Sequence, residues 1–286
     1  MKYKSLYLSV LFLAVMLTGC QRDLLDISID GGTTGNIGRI TFTTTRADGV
    51  VSLAIHAPAE ERSYLWIDLN ADGVRAEDGQ EDVTNFDSYQ DYTLAKGVKK
   101  ITIYGNVTYL GCASNQLTEV NVSEALALEK LNCPLNQLTS IDVSKNTALT
   151  HLDCSENKLS TLNVSSNAVL SSLWCFNNQL SSLDVSGNQN LTFLDCSGNK
   201  LTSLDVSSNT ELIRLLCYNN ALTALDLSKN DWLNRLWLFG NAFDEKNIDL
   251  LIQTLKESSG GELWLSTKTP NREWSDLITA KGWTLK

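Results

Sequence analysis

The sequence predicts a β-rich solenoid of parallel strands with few helices, closed by a β-rich cap at its amino end and an α+β cap at its carboxy end. Three observations predict it. Asparagine recurs every 21 residues, cysteine precedes it by three residues with the same period, and the flanking segments break that period with strand and helix patterns of their own.

The asparagines are Asn115, Asn136, Asn157, Asn178, Asn199, Asn220 and Asn241, and the cysteines are Cys112, Cys133, Cys154, Cys175, Cys196 and Cys217, with Leu238 closing that column. Leucines at Leu131, Leu152, Leu173, Leu194, Leu215 and Leu236 complete a unit written LxxLxCxxNxLTxLDVSxN. This unit resembles the strand motif of bacterial leucine-rich repeat proteins over residues 107–243, which makes the expected fold a leucine-rich repeat solenoid. The resemblance implies one short parallel strand per turn, inward leucines, and buried asparagines that hydrogen-bond neighbouring backbone. The second half of each unit repeats the apolar spacing, so each turn is expected to have two extended sides. Its serine column (Ser123, Ser144, Ser165, Ser186, Ser207, Ser228) and later asparagine column (Asn146, Asn167, Asn188, Asn209, Asn230) read as turn-forming devices.

An even number of extracytoplasmic cysteines suggests disulfides. Stacked in register, however, their Cβ atoms lie about 4.8 Å apart with parallel vectors, beyond the roughly 3.5 to 4.5 Å that a disulfide needs. They read as small buried apolar residues, and no histidine converges on them to make a zinc site.

Alternation along a strand places the residues on either side of each ladder cysteine on the outer face. One column reads Gly111, Asn132, Asp153, Trp174, Asp195, Leu216, Trp237, and the other Ala113, Pro134, Ser155, Phe176, Ser197, Tyr218, Phe239. The early repeats offer small and polar groups. The later ones gather Trp174, Phe176, Leu216, Tyr218, Trp237 and Phe239, joined by Phe193, Arg214 and Arg235, into an expected ligand-binding patch of the kind that dominates binding hot spots. Two other readings are that the terminal cap covers part of it, or that the rings merely stabilise the sheet. His151 beside Asp153 has no nucleophile to serve and reads as a solvated histidine.

Residues 38–106 alternate as strands do, in Ile40–Thr43 and Val98–Tyr104, and read as a small β-rich cap. Within them Asp68, Asn70 and Asp72, followed by Gly73, are spaced like the first ligands of a calcium loop. The twelfth position, where a bidentate Glu belongs, is Gly79, with Glu77, Asp78, Glu81 and Asp82 nearby. A metal-free Asx turn is the simpler reading, and no other cofactor is expected. Residues 244–286 show helical spacing from Glu245 to Glu257 with Asp244 as N-cap, a strand from Glu262 to Ser266, and a helix from Arg272 to Ala280. Thr279–Leu285 resembles the terminal cap of bacterial leucine-rich repeat lipoproteins, with Trp283 as core.

Residues 1–19 carry Lys2 and Lys4, an apolar run from Leu6 to Leu17 too short to span a bilayer, and then Leu17-Thr18-Gly19-Cys20. This resembles the lipobox of bacterial lipoproteins and implies cleavage before Cys20, with lipid on its thiol and new amino terminus. Gln21-Arg22-Asp23 with Asp26 is similar to the acidic signals that send lipoproteins to the face of the outer membrane, and residues 20–37 read as a flexible tether. Loss of the first 19 residues deepens the formal charge from −10 to −12, which repels nucleic acid. The expected function is a monomeric, lipid-anchored cell-envelope module that binds a protein or peptide. The alternatives are a carbohydrate-binding surface and an envelope scaffold without soluble ligand. A catalytic triad, a phosphate-cradling glycine loop and a metal cluster are all lacking from the sequence, so an enzyme is not expected.

Overall fold

A computed structural model describes residues 38–86, 88–265 and 272–286. The signal segment 1–19, the Cys20 lipidation position and the tether to residue 37 lie outside the described residues. The amino-terminal part forms β1 (Arg39–Thr44), β2 (Val50–His56), a 3-10 turn (Ala59–Tyr64), β3 (Trp66–Asp68), β4 (Gln90–Thr93) and β5 (Lys100–Tyr104). The repeats give β6 (Tyr109–Gly111), β7 (Leu117–Asn121), β8 (Lys130–Asn132), β9 (His151–Asp153), β10 (Ser172–Trp174), β11 (Phe193–Asp195), β12 (Arg214–Leu216) and β13 (Arg235–Trp237). The carboxy end adds α1 (Glu245–Thr254), β14 (Gly261–Trp264), α2 (Arg272–Ala280) and β15 (Trp283–Leu285).

One 11-stranded sheet runs through cap, repeats and cap in the order β15-β14-β13-β12-β11-β10-β9-β8-β6-β2-β4. It is parallel from β6 to β15, and β2 joins β6 antiparallel. The leucine and cysteine columns from Leu131 to Leu236 and from Cys112 to Cys217 are 0–1% exposed, so each turn buries its apolar side against the next. Each leucine so buried contributes about 1.5–3 kcal/mol. Burial pushes the thiols up, Cys112 to about 12, which keeps them neutral and unreactive, and all six are free.

After each strand the chain turns a left-handed corner, with φ between 51° and 69° at Ser114, Leu135, Glu156, Asn177, Gly198, Asn219 and Gly240. The two glycines have a local reason. A Cβ on Gly198 or Gly240 would stand 2.2 Å from the side-chain oxygen of Asn177 or Asn219 on the preceding turn.

The corner delivers the ladder asparagine inward. Asn157 accepts from the Leu138 amide through Oδ1 at 3.0 Å and donates through Nδ2 to the Cys133 and Cys154 carbonyls at 3.0 and 3.1 Å. Asn136 through Asn241 repeat this bridge turn by turn. Asn115, the first, bonds the cap instead: Oδ1 accepts from the Ser52 amide at 2.8 Å and Nδ2 donates to the Ser52 carbonyl at 2.7 Å.

The second half of each unit extends one expectation and corrects another. The column Asn146 to Asn230 is a second inter-turn ladder as well as a turn device: Asn167 Nδ2 donates to the Val143 and Asn146 carbonyls at 3.0 and 2.8 Å. Two extended sides per turn do not form. Beyond β7, which pairs with β1, that side makes one backbone bond per turn, such as Lys158 N to Leu138 O at 2.8 Å. An Asx turn then bends the chain away, with Asp142 Oδ1 accepting from the Ser144 amide, before a second ladder bond can follow.

At the carboxy end Asp244 caps α1 by accepting from the Asn247 amide, and the helix ends at Thr254, three residues short of the expected Glu257. Trp283 is 2% exposed and donates to the Lys256 carbonyl at 2.8 Å, so it is core. No helix among the described residues is long and apolar enough to cross a membrane.

Candidate binding face

Parallel register stacks the outer side chains into straight columns. His151, Ser172, Phe193, Arg214, Arg235 and Glu262 form one, and Asp153, Trp174, Asp195, Leu216, Trp237 and Trp264 the next. Each neighbour is one strand spacing away, close enough for side-chain contact.

The rings gather into two groups rather than one continuous patch. Trp174 meets Phe193 at 4.7 Å between centroids. Tyr218 stacks on Phe239 at 4.5 Å and meets Trp237 at 6.0 Å, and Trp264 closes the group at 5.4 Å from Trp237 and 6.4 Å from Phe239. Phe176 stands half-buried between the two serines of its column, and Leu216 lies between the groups. Leu216 stands in the outer column as expected but is only 8% exposed, so its short side chain is screened by its larger neighbours and offers little surface to a ligand. Ser155, Asp195 and Ser197 are buried for a similar reason.

Trp264 was missed by sequence reasoning. It falls 27 residues after Trp237, not 21, so the period skips it. The signal was there in the match of Glu262-Leu263-Trp264-Leu265 to Arg235-Leu236-Trp237-Leu238, the same alternation continued into the cap.

Beside the first ring group lies an open groove of about 330 Å³ lined by Ser172, Trp174, Thr192, Phe193, Ile213 and Arg214. Arg235 is engaged by Glu262 at 3.0 Å, whereas Arg214 is exposed and makes no ion pair among the described residues. The groove therefore combines an aromatic wall, an exposed isoleucine and an available guanidinium.

Two acids flank Trp174 in its column. Ser155 Oγ donates to Asp153 Oδ1 at 2.6 Å, and Ser197 Oγ to Asp195 Oδ1 at 2.5 Å. Burial raises both carboxyls above the usual carboxylate range despite these bonds, and the charge of Asp153 adds to the rise at Asp195. His151 does not pair with Asp153. Its Nδ1 lies 2.8 Å from Thr150 Oγ1, and partial burial with Lys130 nearby lowers its pKa.

The other predicted site residues are remote in sequence from this face: Asp68 ends β3, an edge strand of the cap's four-stranded sheet ordered β3-β5-β1-β7, and Asn70 and Asp72 follow in the loop. Asn70 and Asp72 are exposed, and Asp68 is buried.

A stack of 21-residue turns with inward leucines, an asparagine ladder and one decorated strand face is a leucine-rich repeat solenoid, and the solved structures that the chain resembles are bacterial proteins of that kind. The functional domain of InlJ from Listeria monocytogenes, which includes a cysteine ladder, is 32% identical over 65% of this chain and 41% of its own, with a TM-score of 0.52. An internalin, InlF, from the same species is 21% identical over 57% of this chain and 48% of its own, with a TM-score of 0.51, and speaks to the fold alone. The chain thus spans less than half the length of each. No protein-family model matches it, and no curated protein does.

Proposed function

We propose that this chain is a cell-envelope lipoprotein, anchored at Cys20, whose later repeats bind a protein or peptide through the aromatic strand face. The observation that carries the reading is the pair of ring groups, Trp174–Phe193 and Tyr218–Trp237–Phe239–Trp264, the first of which lines a groove with an uncommitted Arg214. Packing within the sheet already satisfies the leucine core, so the rings are in excess of what the fold requires, and Trp, Tyr and Arg are the side chains that yield most on desolvation against a partner. Likeness to the functional domain of InlJ supports an interaction module rather than an enzyme.

A carbohydrate ligand is favoured by one observation of its own: half-buried Trp174 has the half-buried Asp153 carboxyl next to it in its column. Trp174→Ala and Trp237→Ala separate the readings. Loss of protein capture by both variants with an unchanged glycan-array profile supports protein recognition. Loss of glycan binding in Trp174→Ala with protein capture intact overturns it. Incorporation of labelled palmitate into the wild type and not into Cys20→Ser tests the anchor, and protease shaving of intact cells tests whether the face is outside.

A further inference from the structure

We infer that the loop between β3 and residue 82 is a calcium site, held by Asp68, Asn70, Asp72 and the Val74 carbonyl and closed by Glu81. The carboxylate of Asp68 is 4% exposed; Oδ2 accepts from the Gly73 amide at 3.0 Å, while Oδ1 is buried with no hydrogen-bond partner. A buried, unpartnered carboxylate oxygen is costly unless a cation meets it. Glu81, 3% exposed, is brought against the same strand by the bond from Ile67 N to its carbonyl at 2.7 Å. Its Oε1 accepts from the Leu69 amide at 2.9 Å and its Oε2 from the Ala76 amide at 3.0 Å. Two buried carboxylates therefore share one loop with backbone amides as their partners. The loop's own arginine, Arg75, is held by Asp82 at 2.7 Å and the Ser63 carbonyl at 3.1 Å.

The donors are all oxygen, which selects a hard cation over zinc or copper. Asp68, Asn70, Asp72 and Val74 occupy the first, third, fifth and seventh places of a calcium loop, and Gly73, with φ of +74°, takes the sixth, where the turn is sharpest. The sequence departs at the twelfth place, Gly79, and two further residues let the chain return so that Glu81 is the closing carboxylate. Three acidic side chains do not converge among the described residues, and Asp72 accepts from Asn70 Nδ2 at 2.9 Å and from the Val74 amide at 2.8 Å. The proposal requires that exposed side chain to exchange these bonds for the cation.

Trp66 lies two residues before Asp68 and stacks on Tyr104 at 4.2 Å, which supplies an antenna for a lanthanide probe. Terbium titrated into the purified full chain, excited through tryptophan, is expected to give saturable emission that excess calcium reverses. Asp68→Asn and Glu81→Gln, near-isosteric changes that remove a buried charge, are expected to weaken terbium binding tenfold or more, whereas Asp142→Asn in a repeat turn leaves it unchanged. Calcium is also expected to raise the melting temperature of the wild type and of Trp66→Phe, reversibly with chelator. Absence of both calcium-reversible emission and a calcium-dependent melting shift in the wild type overturns the proposal. So does emission that persists undiminished in folded Asp68→Asn and Glu81→Gln.

Discussion

The amino-terminal and carboxy-terminal halves of the long sheet have the same backbone and opposite surfaces. At the first repeat strand a Cβ on Gly111 would lie 2.7 Å from the Tyr89 hydroxyl and 2.8 Å from that of Tyr109, so tyrosines close this end of the face and no larger residue fits. The next strands present Asn132 and Asp153, followed from the fourth repeat by Trp174, Phe193, Tyr218, Trp237, Phe239 and Trp264. Because both halves are built on one asparagine ladder and one leucine core, the difference between them does not come from the fold. The ladder and core repeat along the solenoid, and the proposed recognition surface is concentrated at one end.

The sharpest way to break that comparison is to attack the ladder. Asn157→Ala leaves the Leu138 amide without a partner in a dry core and removes one of the two asparagine donors at each of the Cys133 and Cys154 carbonyls, which keep those from Asn136 and Asn178, a loss on the order of 3 kcal/mol. Asn199→Ala in the aromatic half is expected to cost about the same, read as equal shifts in urea midpoint. Unequal shifts would mean that the halves differ in construction as well as in surface.

Next in size are the rings. Trp237→Ala and Trp174→Ala are each expected to weaken partner binding by about 2 kcal/mol, roughly thirtyfold, with Asn132→Ala within twofold of wild type by surface plasmon resonance. If alanine at all three positions leaves binding unchanged while the tryptophan variants melt lower, the rings serve the sheet.

Smaller effects come from pH, with opposite signs on the two sides of the turn that carries Asp195 and Asp205. Burial raises Asp195, so its contribution is fully present below the ordinary carboxylate value of 3.8 and is lost as pH rises through the raised value. Asp205, on the outer turn, is lowered by the Ser207 amide and hydroxyl, so its contribution is present above 3.8 and is lost as pH falls through the lowered value. Melting curves against pH are expected to show Asp195→Asn gaining on wild type as pH rises. Asp205→Asn should fall behind at neutral pH and converge with wild type in acid. The smallest change is at Leu135, held at φ 56° and 51% exposed, where Leu135→Asn relieves a left-handed corner and is expected to stabilise by about 1 kcal/mol.

Much of this was legible in the sequence because a repeat prints its own comparison. Leucine, cysteine and asparagine columns are visible as identities 21 residues apart, and the strand that each implies is where it was expected. What the period could not carry was read less well. Trp264 lies beyond the last regular turn, and the burial of Leu216 and Asp195 depends on which larger side chains stand beside them in register, which spacing alone does not reveal. The second asparagine ladder looked like a turn because asparagine does both, and the bonds of Asn167 to the previous turn exist only once turns are stacked. Glu81 was one of four acids around Gly79, and its burial and the bond from the Ile67 amide to its carbonyl, which single it out, exist only in the folded chain.

The central claim, that recognition is confined to the later repeats, is tested most directly by a photo-crosslinking amino acid placed in turn at Asn132, Asp153, Phe193, Arg214 and Phe239 on living cells. The account predicts adducts to the same partner protein at Phe193, Arg214 and Phe239, absent at Asn132 and lost when Trp237→Ala is added. Adducts of equal yield along the whole face, or at the early positions alone, would contradict it.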